Sequence, residues 1–269
     1  MPRFLLNKNN EKANVMTDNL KVKEQFNKQA ANFNDWPVTQ EEKIHRALYN
    51  FFGIKADERL LDFACGTGAF AVYAAQRTKA VQGVDISEGM IEIAVESAEQ
   101  RVLKNIAFLC CDVEKVPLES DDFDCVISKS AFHHMKNYKT VFKEMIRCCK
   151  KQGRIGIEDV ISYDDKKTDD FFEKLECEID ISHNVSLPKT EIINLYKKNG
   201  VEIFRLFESI SELNFIDYVN HAVQTEDAGQ KISTLLETGL KDDQISKWFV
   251  TRNNALFWRR KVLTIVGRK

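Results

Sequence analysis

The stretch from Arg59 to Tyr73 constrains the fold of this chain more than any other part of the sequence. It reads RLLDFACGTGAFAVY, a short apolar run that ends at Asp62, then two glycines, then a run of Ala, Val and Tyr with helical spacing. This pattern predicts a strand, a tight turn and a helix, which is the first unit of a nucleotide-binding α/β sheet. Gly66 and Gly68 suit the turn, because glycine lets a ligand approach the backbone and adopts positive φ without strain.

The turn by itself fits two classes of ligand. The spacing Gly66-x-Gly68-x-x-Ala71 also matches the dinucleotide fingerprint, whose third position can be alanine. Asp62 separates the two, because a pyrophosphate binds backbone N–H groups and would be repelled by a carboxylate at the strand end. The same carboxylate suits a ligand with a cationic amino-acid end and a sulfonium. S-adenosylmethionine has both charges and carries no phosphate.

Acidic residues also follow the next two predicted strands. The strand Ala80–Val84 ends at Asp85, at roughly the spacing of about 20 residues expected for the acid that binds ribose hydroxyls. The alternative role of Asp85, as the cap of the following helix, is already filled by Ser87. The strand Ile106–Cys110 leads into Asp112.

Together, Asp62 with the glycine turn, Val84-Asp85, and Asp112 ahead of a Phe-Asp-x-Val strand resemble the motifs of class I S-adenosylmethionine-dependent methyltransferases. The chain is most similar to the branch that methylates small molecules, which includes the ubiquinone/menaquinone C-methyltransferases, and the resemblance runs from about residue 26 to residue 269. It implies S-adenosyl-L-methionine as cofactor, bound by Asp62, Ala64, Gly66, Gly68, Asp85, Ile86, Met90, Asp112, Val113 and Ser128. Ala64 stands where the family has its first glycine. The Asp/Asn-Pro-Pro-Tyr motif used on planar amines is absent, which argues against N-methylation of adenine or glutamine.

The resemblance implies an α/β fold with a doubly wound, mostly parallel seven-stranded sheet and helical cap elements. We expect a flexible tail over 1–17, a helical cap over 18–56, and a cofactor-binding core over 57–207 and 261–269. The fifth strand is predicted at Gly153–Val160 and the sixth at Val201–Phe207. The last strand is predicted at Leu263–Gly267, antiparallel beside the fifth. The intervening segment 208–260 is too long for an ordinary loop and is predicted to be a helical insertion that covers the substrate.

Methyl transfer requires aligned reactants, exclusion of water and, where the acceptor atom bears a proton, a base. The fourth strand is predicted at Phe123–Ile127, and the loop after it, Ser128–His134, is predicted to face the reacting methyl group; we call it the reaction loop. His133 and His134 lie in this loop, and either is a candidate catalytic base. Packing against or capping the next helix is their alternative role. His45 and His221 are predicted on helix surfaces. The candidate substrate-pocket residues, which ordinary core packing would equally use, are Phe33, Trp36, His183, Trp248 and Trp258.

Composition narrows the class of protein. The 269 residues carry a net charge of −2, so no global basic field indicates a nucleic-acid partner. No apolar run approaches a membrane span of about 20 residues. The seven cysteines include no C-x-x-C pair, so we expect reduced thiols, a cytoplasmic location and no metal.

Three other functions stay open from the sequence alone. One is a nicotinamide-dependent oxidoreductase, which Asp62 and the lack of a second catalytic domain disfavour. The others are a methyltransferase of RNA or protein and a cofactor-binding protein without catalysis. The acceptor molecule, the acceptor atom and the oligomeric state do not follow from the sequence.

Overall fold

The computed structural model describes residues 18–35, 41–222 and 226–269. Trp36 and the predicted tail lie outside these residues. The strands are β1 (Arg59–Phe63), β2 (Ala80–Asp85), β3 (Ile106–Cys110), β4 (Phe123–Lys129), β5 (Cys149–Val160), β6 (Glu202–Asn214), β7 (Phe249–Arg252) and β8 (Ala255–Arg268). The helices are α1 (Asp18–Asp35), α2 (Glu42–Phe52), α3 (Ala69–Ala75), α4 (Glu88–Gln100), α5 (Tyr138–Cys148), α6 (Lys166–Ile179), α7 (Lys189–Lys198), α8 (Phe215–Ala222), α9 (Glu226–Leu240) and α10 (Asp243–Ser246).

One mixed sheet organises the described residues, in the order β3-β2-β1-β4-β5-β8-β6, with the short strand β7 paired to β8. The strands from β1 to β5 are parallel, and β8 lies antiparallel beside β5. The predicted α/β class is therefore confirmed, with β7 as an additional strand. Because the order reverses between β1 and β4, their carboxyl ends form the crevice in which ligands of such sheets bind.

Helices cover both faces of the sheet. Leu60 belongs to the apolar cluster on one face and Leu61 to the cluster on the other, and each side chain is fully buried. This alternation follows from the two-residue period of a strand. A central strand enclosed on both sides reads as a continuous apolar run, which is why β1 was recognisable from the sequence.

β6 and β8 are longer than predicted. Their antiparallel ladder continues from Glu202↔Arg268 to Asn214↔Phe257, well beyond the predicted ends at Phe207 and Leu263. The reason is that backbone hydrogen bonds extend the pair past the apolar run that marks the core. The segment 208–260 therefore contains α8, α9 and α10, but also β7 and the ends of two sheet strands.

A third apolar cluster lies between α6, α8 and this extension. Trp258 stacks on Phe172 with ring centroids 5.1 Å apart, and its indole N–H donates to the hydroxyl of Tyr163. Trp248 packs against the same tyrosine. Trp258 is thus enclosed as a core residue, which corrects the expectation that it lines the substrate pocket.

All seven cysteines are unpaired, and burial raises the pKa of Cys65 well above its usual value. Within the described ranges, no group of three or more His, Cys, Asp or Glu side chains is arranged to hold a metal ion. Within the same ranges, no helix is both long and apolar enough to cross a bilayer.

Candidate active site

A cleft opens at the carboxyl ends of the parallel strands and is partly covered by α1. Its empty volume is about 1080 Å³ with the open mouth included, and apolar surface predominates in its lining. Sites for cofactors and small molecules have these properties. Its lining includes residues from the ends of β1, β2, β3 and β4 and from α1 and α2: Asn19, Val22, Phe26, Phe33, His45, Asp62, Ala64, Gly66, Asp85, Ile86, Met90, Asp112, Val113, Glu114, Lys129, Ala131, His134 and Met135.

The turn after β1 contains three residues with left-handed backbone. Gly66 has φ +55° and Gly68, which caps α3, has φ +74°. A Cβ on Gly68 would lie 2.8 Å from Cβ of Ala94, whereas a Cβ on Gly66 would meet no atom within 4 Å. Ala64 has φ +54°, a conformation that costs a non-glycine residue about 1–2 kcal/mol. The backbone at this position therefore favours glycine, a point that side-chain size alone did not indicate.

Asp85 connects β2 to this turn. One carboxylate oxygen accepts the N–H of Gly66 at 2.8 Å and the other accepts the N–H of Ser87 at 2.9 Å. Ser87 caps α4, as predicted, by accepting the N–H of Met90. Burial raises the pKa of Asp85, and these backbone hydrogen bonds oppose that rise. Because each carboxylate oxygen can accept more than one hydrogen bond, Asp85 retains capacity for ligand hydroxyls.

Asp62 lies deeper in the cleft and is 2% exposed. Burial raises its pKa to about 7, with Lys129 acting to lower it and Asp85 to raise it. Four carboxylates therefore line the cleft, those of Asp62, Asp85, Asp112 and Glu114. Lys129 is the residue with a fixed positive charge among the described lining. The balance of charge favours a cationic ligand.

Hydrogen bonds from polar side chains of α1 hold this helix across the cleft. Asn19 donates to the carboxylate of Asp112 at 2.9 Å and to that of Glu114 at 3.0 Å. Asn27 accepts from the hydroxyl of Ser87 at 2.7 Å. The helix thus bonds to the loops after β2 and β3, the elements that carry the predicted cofactor acids.

His133 and His134 occupy a 3₁₀ turn after β4, and the structure gives them different surroundings. His133 is buried, with Nδ1 2.5 Å from a carboxylate oxygen of Asp159. The other oxygen of Asp159 accepts the N–H groups of Ala131 and Phe132, so this carboxylate holds the turn. His134 lines the cleft, and its Nδ1 lies 3.1 Å from the hydroxyl of Ser182.

The remaining predicted residues are divided between the cleft and its surroundings. Phe33, Ile86, Met90 and Val113 line it. Ser128 is buried at the end of β4 outside the described lining, and its hydroxyl has no partner among the described residues.

Three of the candidate pocket residues are absent from the described lining of the cleft. His183 is also outside the described lining, with Nε2 3.1 Å from a carboxylate oxygen of Glu173. Trp248 packs in the third apolar cluster, as does Trp258. Eight of the cofactor candidates therefore line one cleft: Asp62, Ala64, Gly66, Asp85, Ile86, Met90, Asp112 and Val113. Gly68, Ser128, His183 and the two tryptophans are not part of its described lining.

Sequence patterns missed or misplaced several residues in and around the cleft. His45 and His221 are buried rather than on helix surfaces. His45 lies on the apolar face of α2, three residues before Leu48, and that spacing was a usable signal. Asn19, Val22 and Phe26 share one face of α1, again at helical spacing, but Lys129 carried no pattern that distinguished it from a surface lysine.

Residues 61–157 match the family Methyltransf_11, described as a methyltransferase domain. Over these residues the chain is therefore similar to a methyltransferase domain. Among curated proteins, it is 27% identical over 158 residues to the uncharacterized methyltransferase YcgJ of Bacillus subtilis, covering 59% of this chain and 62% of that protein. It is 34% identical over 99 residues to a demethylmenaquinone methyltransferase of Lactococcus lactis, covering 36% of this chain and 39% of that enzyme. The matched regions thus span less than two thirds of these relatives.

The fold of the methyltransferase domain is also found in solved structures. The protein BH2331 of Bacillus halodurans superposes with a TM-score of 0.77 at 23% identity, covering 84% of this chain and 98% of that one. Solved proteins of this fold include complexes with S-adenosyl-L-methionine and with S-adenosyl-L-homocysteine. S-adenosyl-L-methionine is therefore the cofactor expected for this domain.

Proposed function

We propose that this protein is an S-adenosylmethionine-dependent methyltransferase that acts on a small, apolar or aromatic molecule. The observation that carries the proposal is the convergence of Asp62, Asp85 and Asp112 on one cleft, beside a left-handed glycine turn. These residues follow or end three adjacent strands, so their meeting depends on the fold and not on their spacing in the chain.

The cleft fits the charge of S-adenosylmethionine. Asp62, the most buried of the lining carboxylates, is suited to the ammonium of the amino-acid end, because a neighbouring cation favours the ionised form that burial disfavours. Asp85 is suited to the ribose hydroxyls. Asp112 and the backbone at Val113 are suited to the adenine edge, with Ile86 and Met90 as apolar neighbours. Ala64, Gly66 and Gly68 bring the backbone close to the amino-acid end, and Ser128 at the end of β4 stays a candidate contact.

The same charges argue against a dinucleotide. A pyrophosphate at the turn would lie near Asp62 and Asp85, with Lys129 as the fixed cation of the described lining. The resulting repulsion in a partly buried site would weaken binding strongly. We therefore favour a methyltransferase over a nicotinamide-dependent oxidoreductase.

The acceptor side of the cleft is apolar. Val22, Phe26 and Phe33 of α1 line the same cleft as Met135 and Val141. When bound, the cofactor supplies an activated methyl group. The protein then needs to hold the acceptor in line and keep water away, and these side chains are suited to both tasks.

We propose that the helical cap 18–56 closes the cleft, because α1 and His45 of α2 contribute to its lining. The described lining contains no residue from 208–260. That segment reaches the cap through α8, where the carbonyl of Ala222 accepts from Gln29 and the ring of His221 contacts Phe33. Its proposed role is thus to support the cap.

Isothermal titration calorimetry with S-adenosylmethionine, S-adenosylhomocysteine and NAD tests the cofactor. We expect binding of the first two and none of NAD; the reverse would reject the proposal. Incubation with S-adenosylmethionine and separate libraries of small aromatic molecules, RNA and proteins, read as released S-adenosylhomocysteine, tests the acceptor. Turnover only with RNA or protein would replace the small-molecule assignment, and cofactor binding without turnover in any library would favour the non-catalytic alternative.

A further inference from the structure

The two adjacent histidines of the reaction loop have different tasks. His133 is held by Asp159, a carboxylate that also accepts three backbone N–H groups, from Ala131, Phe132 and Val160. Burial raises the pKa of Asp159 to about 6, and these N–H groups oppose the rise. His133 lies outside the described lining of the cleft, so its contacts position the turn.

His134 lines the cleft, and a chain of hydrogen bonds, called the relay below, links its ring to Ser182 and Asp180. The hydroxyl of Ser182 lies 3.1 Å from Nδ1 of His134 and donates to a carboxylate oxygen of Asp180 at 2.6 Å. Burial opposes the ionisation of Asp180, but hydrogen bonds from the hydroxyl and the backbone N–H of Ser182 favour it, and the pKa of Asp180 is lowered overall. Asp180 is therefore a carboxylate and only accepts hydrogen bonds.

The relay determines the tautomer of His134. A serine hydroxyl has one proton, and here that proton is donated to Asp180. The hydroxyl oxygen must then accept from the imidazole, which places the ring proton on Nδ1 and leaves a lone pair on Nε2. Burial, followed by the neighbouring His133, lowers the pKa of His134 below its usual value, so the ring is neutral at pH 7 and holds this lone pair.

We propose that His134 is the general base of the methyl transfer and that Ser182 and Asp180 are its positioning residues. This inference rests on the function proposed above. As the acceptor atom forms its bond to the methyl carbon, the methyl–sulfur bond breaks and leaves its electron pair on sulfur. The proton of the acceptor atom moves to Nε2, and Asp180 balances the imidazolium charge through Ser182.

The inference names a class of substrate. A base is needed only when the acceptor atom carries a proton, so a tertiary amine or a thioether would have no use for the relay. The apolar side chains Val22, Phe26 and Met135 line the same cleft as His134, and the ring of Phe26 lies 4.9 Å from its imidazole. Among acceptors whose reacting atom carries a proton, an aromatic or otherwise apolar molecule with a hydroxyl fits both features.

The tautomer can be tested without an acceptor. Long-range ¹H–¹⁵N spectra of the protein labelled with ¹⁵N-histidine report which ring nitrogen bears the proton, and His134→Gln assigns the signal. We expect His134 protonated at Nδ1 in the native protein and a mixture of tautomers in Ser182→Ala. A native signal protonated at Nε2 would overturn the inference.

The role as base is tested with 4-methylphenol and 4-nitrophenol at pH 8, followed as their methyl ethers. 4-Nitrophenol is largely ionised at this pH and needs no base, whereas 4-methylphenol keeps its proton and needs one. We expect His134→Gln to lose at least about 100-fold in rate on 4-methylphenol and at most about tenfold on 4-nitrophenol. His133→Asn, which loosens the turn, is expected to lower both rates by a similar factor.

The outcomes separate this inference from the proposed function. Equal losses on both phenols in His134→Gln would make His134 structural, and no methylation of either phenol by the native protein would reject the hydroxyl class of acceptor. Calorimetry is the control for both results. It should show that the native protein and His134→Gln bind S-adenosylhomocysteine with dissociation constants that agree within about twofold. Absence of that binding in the native protein would instead reject the proposed function.

Discussion

The carboxylate of Asp85 at the end of β2 accepts the backbone N–H of Gly66, in the turn after β1, at 2.8 Å. The residue proposed to bind the ribose therefore also holds the turn proposed to approach the amino-acid end. Two strands are joined at the point where the cofactor would lie across them. A change at Asp85 should consequently affect both contacts.

We predict that Asp85→Ala weakens the binding of S-adenosylhomocysteine. Hydrogen bonds to a charged group contribute about 1.5–3 kcal/mol, so the dissociation constant should rise roughly 10- to 140-fold. Calorimetry measures this change. Glu96→Ala, which removes the same charge from an exposed position on α4, is the control. An equal loss in both variants would mean that charge alone, and not contact, sets the affinity.

Gly66 and Gly68 should respond differently to alanine. Both have positive φ, but only at Gly68 would a Cβ collide with Ala94 and Phe108, at 2.8 and 3.0 Å. Gly68→Ala should therefore lower the melting temperature by several degrees more than Gly66→Ala, at roughly 2–4 °C per kcal/mol for a protein of this size. Gly66→Ala places its methyl group on the open side and should chiefly reduce cofactor affinity. Equal melting temperatures in the two variants would show that a methyl group on Gly68 causes no destabilising collision.

Cofactor binding should release a proton from Asp62. In the free protein, burial raises its pKa to about 7, and a bound ammonium favours the ionised form. Affinity for S-adenosylhomocysteine should then rise roughly fivefold from pH 6 to pH 7, with proton release measured by calorimetry in buffers of different ionisation enthalpy. Asp62→Asn should bind weakly and show no such dependence. A native protein that released no proton would place the ammonium elsewhere.

The same raised pKa affects the stability of the free protein. The folded state binds the Asp62 proton more tightly than the unfolded chain does, so this group contributes stability that is present below the unfolded pKa of 3.8. That contribution is lost as the pH rises through about 7. Asp62→Asn should therefore reduce the decline in the free energy of unfolding between pH 4 and pH 7, measured by urea titration. If the free energy of unfolding of Asp62→Asn depended on pH as it does in the native protein, Asp62 would not be a buried, protonated carboxyl.

Helix α1 should control ligand release. Asn19→Ala removes two hydrogen bonds to Asp112 and Glu114, worth about 0.5–1.5 kcal/mol each. Together they contribute about 1–3 kcal/mol, so we expect a roughly 5- to 140-fold faster release of S-adenosylhomocysteine and faster hydrogen exchange over residues 18–35. Lys21→Ala, at an exposed position on the same helix, is the matched control. Unchanged release in Asn19→Ala would show that α1 is not part of the closure.

Sequence reasoning succeeded where one local pattern implied one structure. The apolar run before Asp62 and the glycines after it predicted β1, the turn and α3, because a strand buried on both faces and a left-handed turn each restrict residue type. Ser87 was recognised as a cap by the same kind of local rule. Local rules were not sufficient at Ala64. The residue type raised only the question whether its Cβ would fit, whereas the structure shows that the backbone at this position is left-handed.

Distant contacts did not follow from the sequence. Trp258 and Phe33 are both aromatic residues in predicted cap elements, yet one is enclosed by Phe172 and its neighbours while the other lines the cleft. Burial of an aromatic ring in a core or in a pocket obeys the same physics, so composition does not separate the two. His45 was placed on a surface for a related reason, since its partners come from another helix.

The sequence by itself determined the α/β class, the cofactor class and the order of the acidic residues, because strand periodicity, glycine turns and charge act within a few residues. The tertiary structure alone decided which of two neighbouring histidines faces the cleft. His133 meets Asp159 from β5, and His134 meets Ser182 after α6, 48 positions away along the chain. Proton position and burial depend on such partners, and only the folded chain brings them within hydrogen-bonding distance.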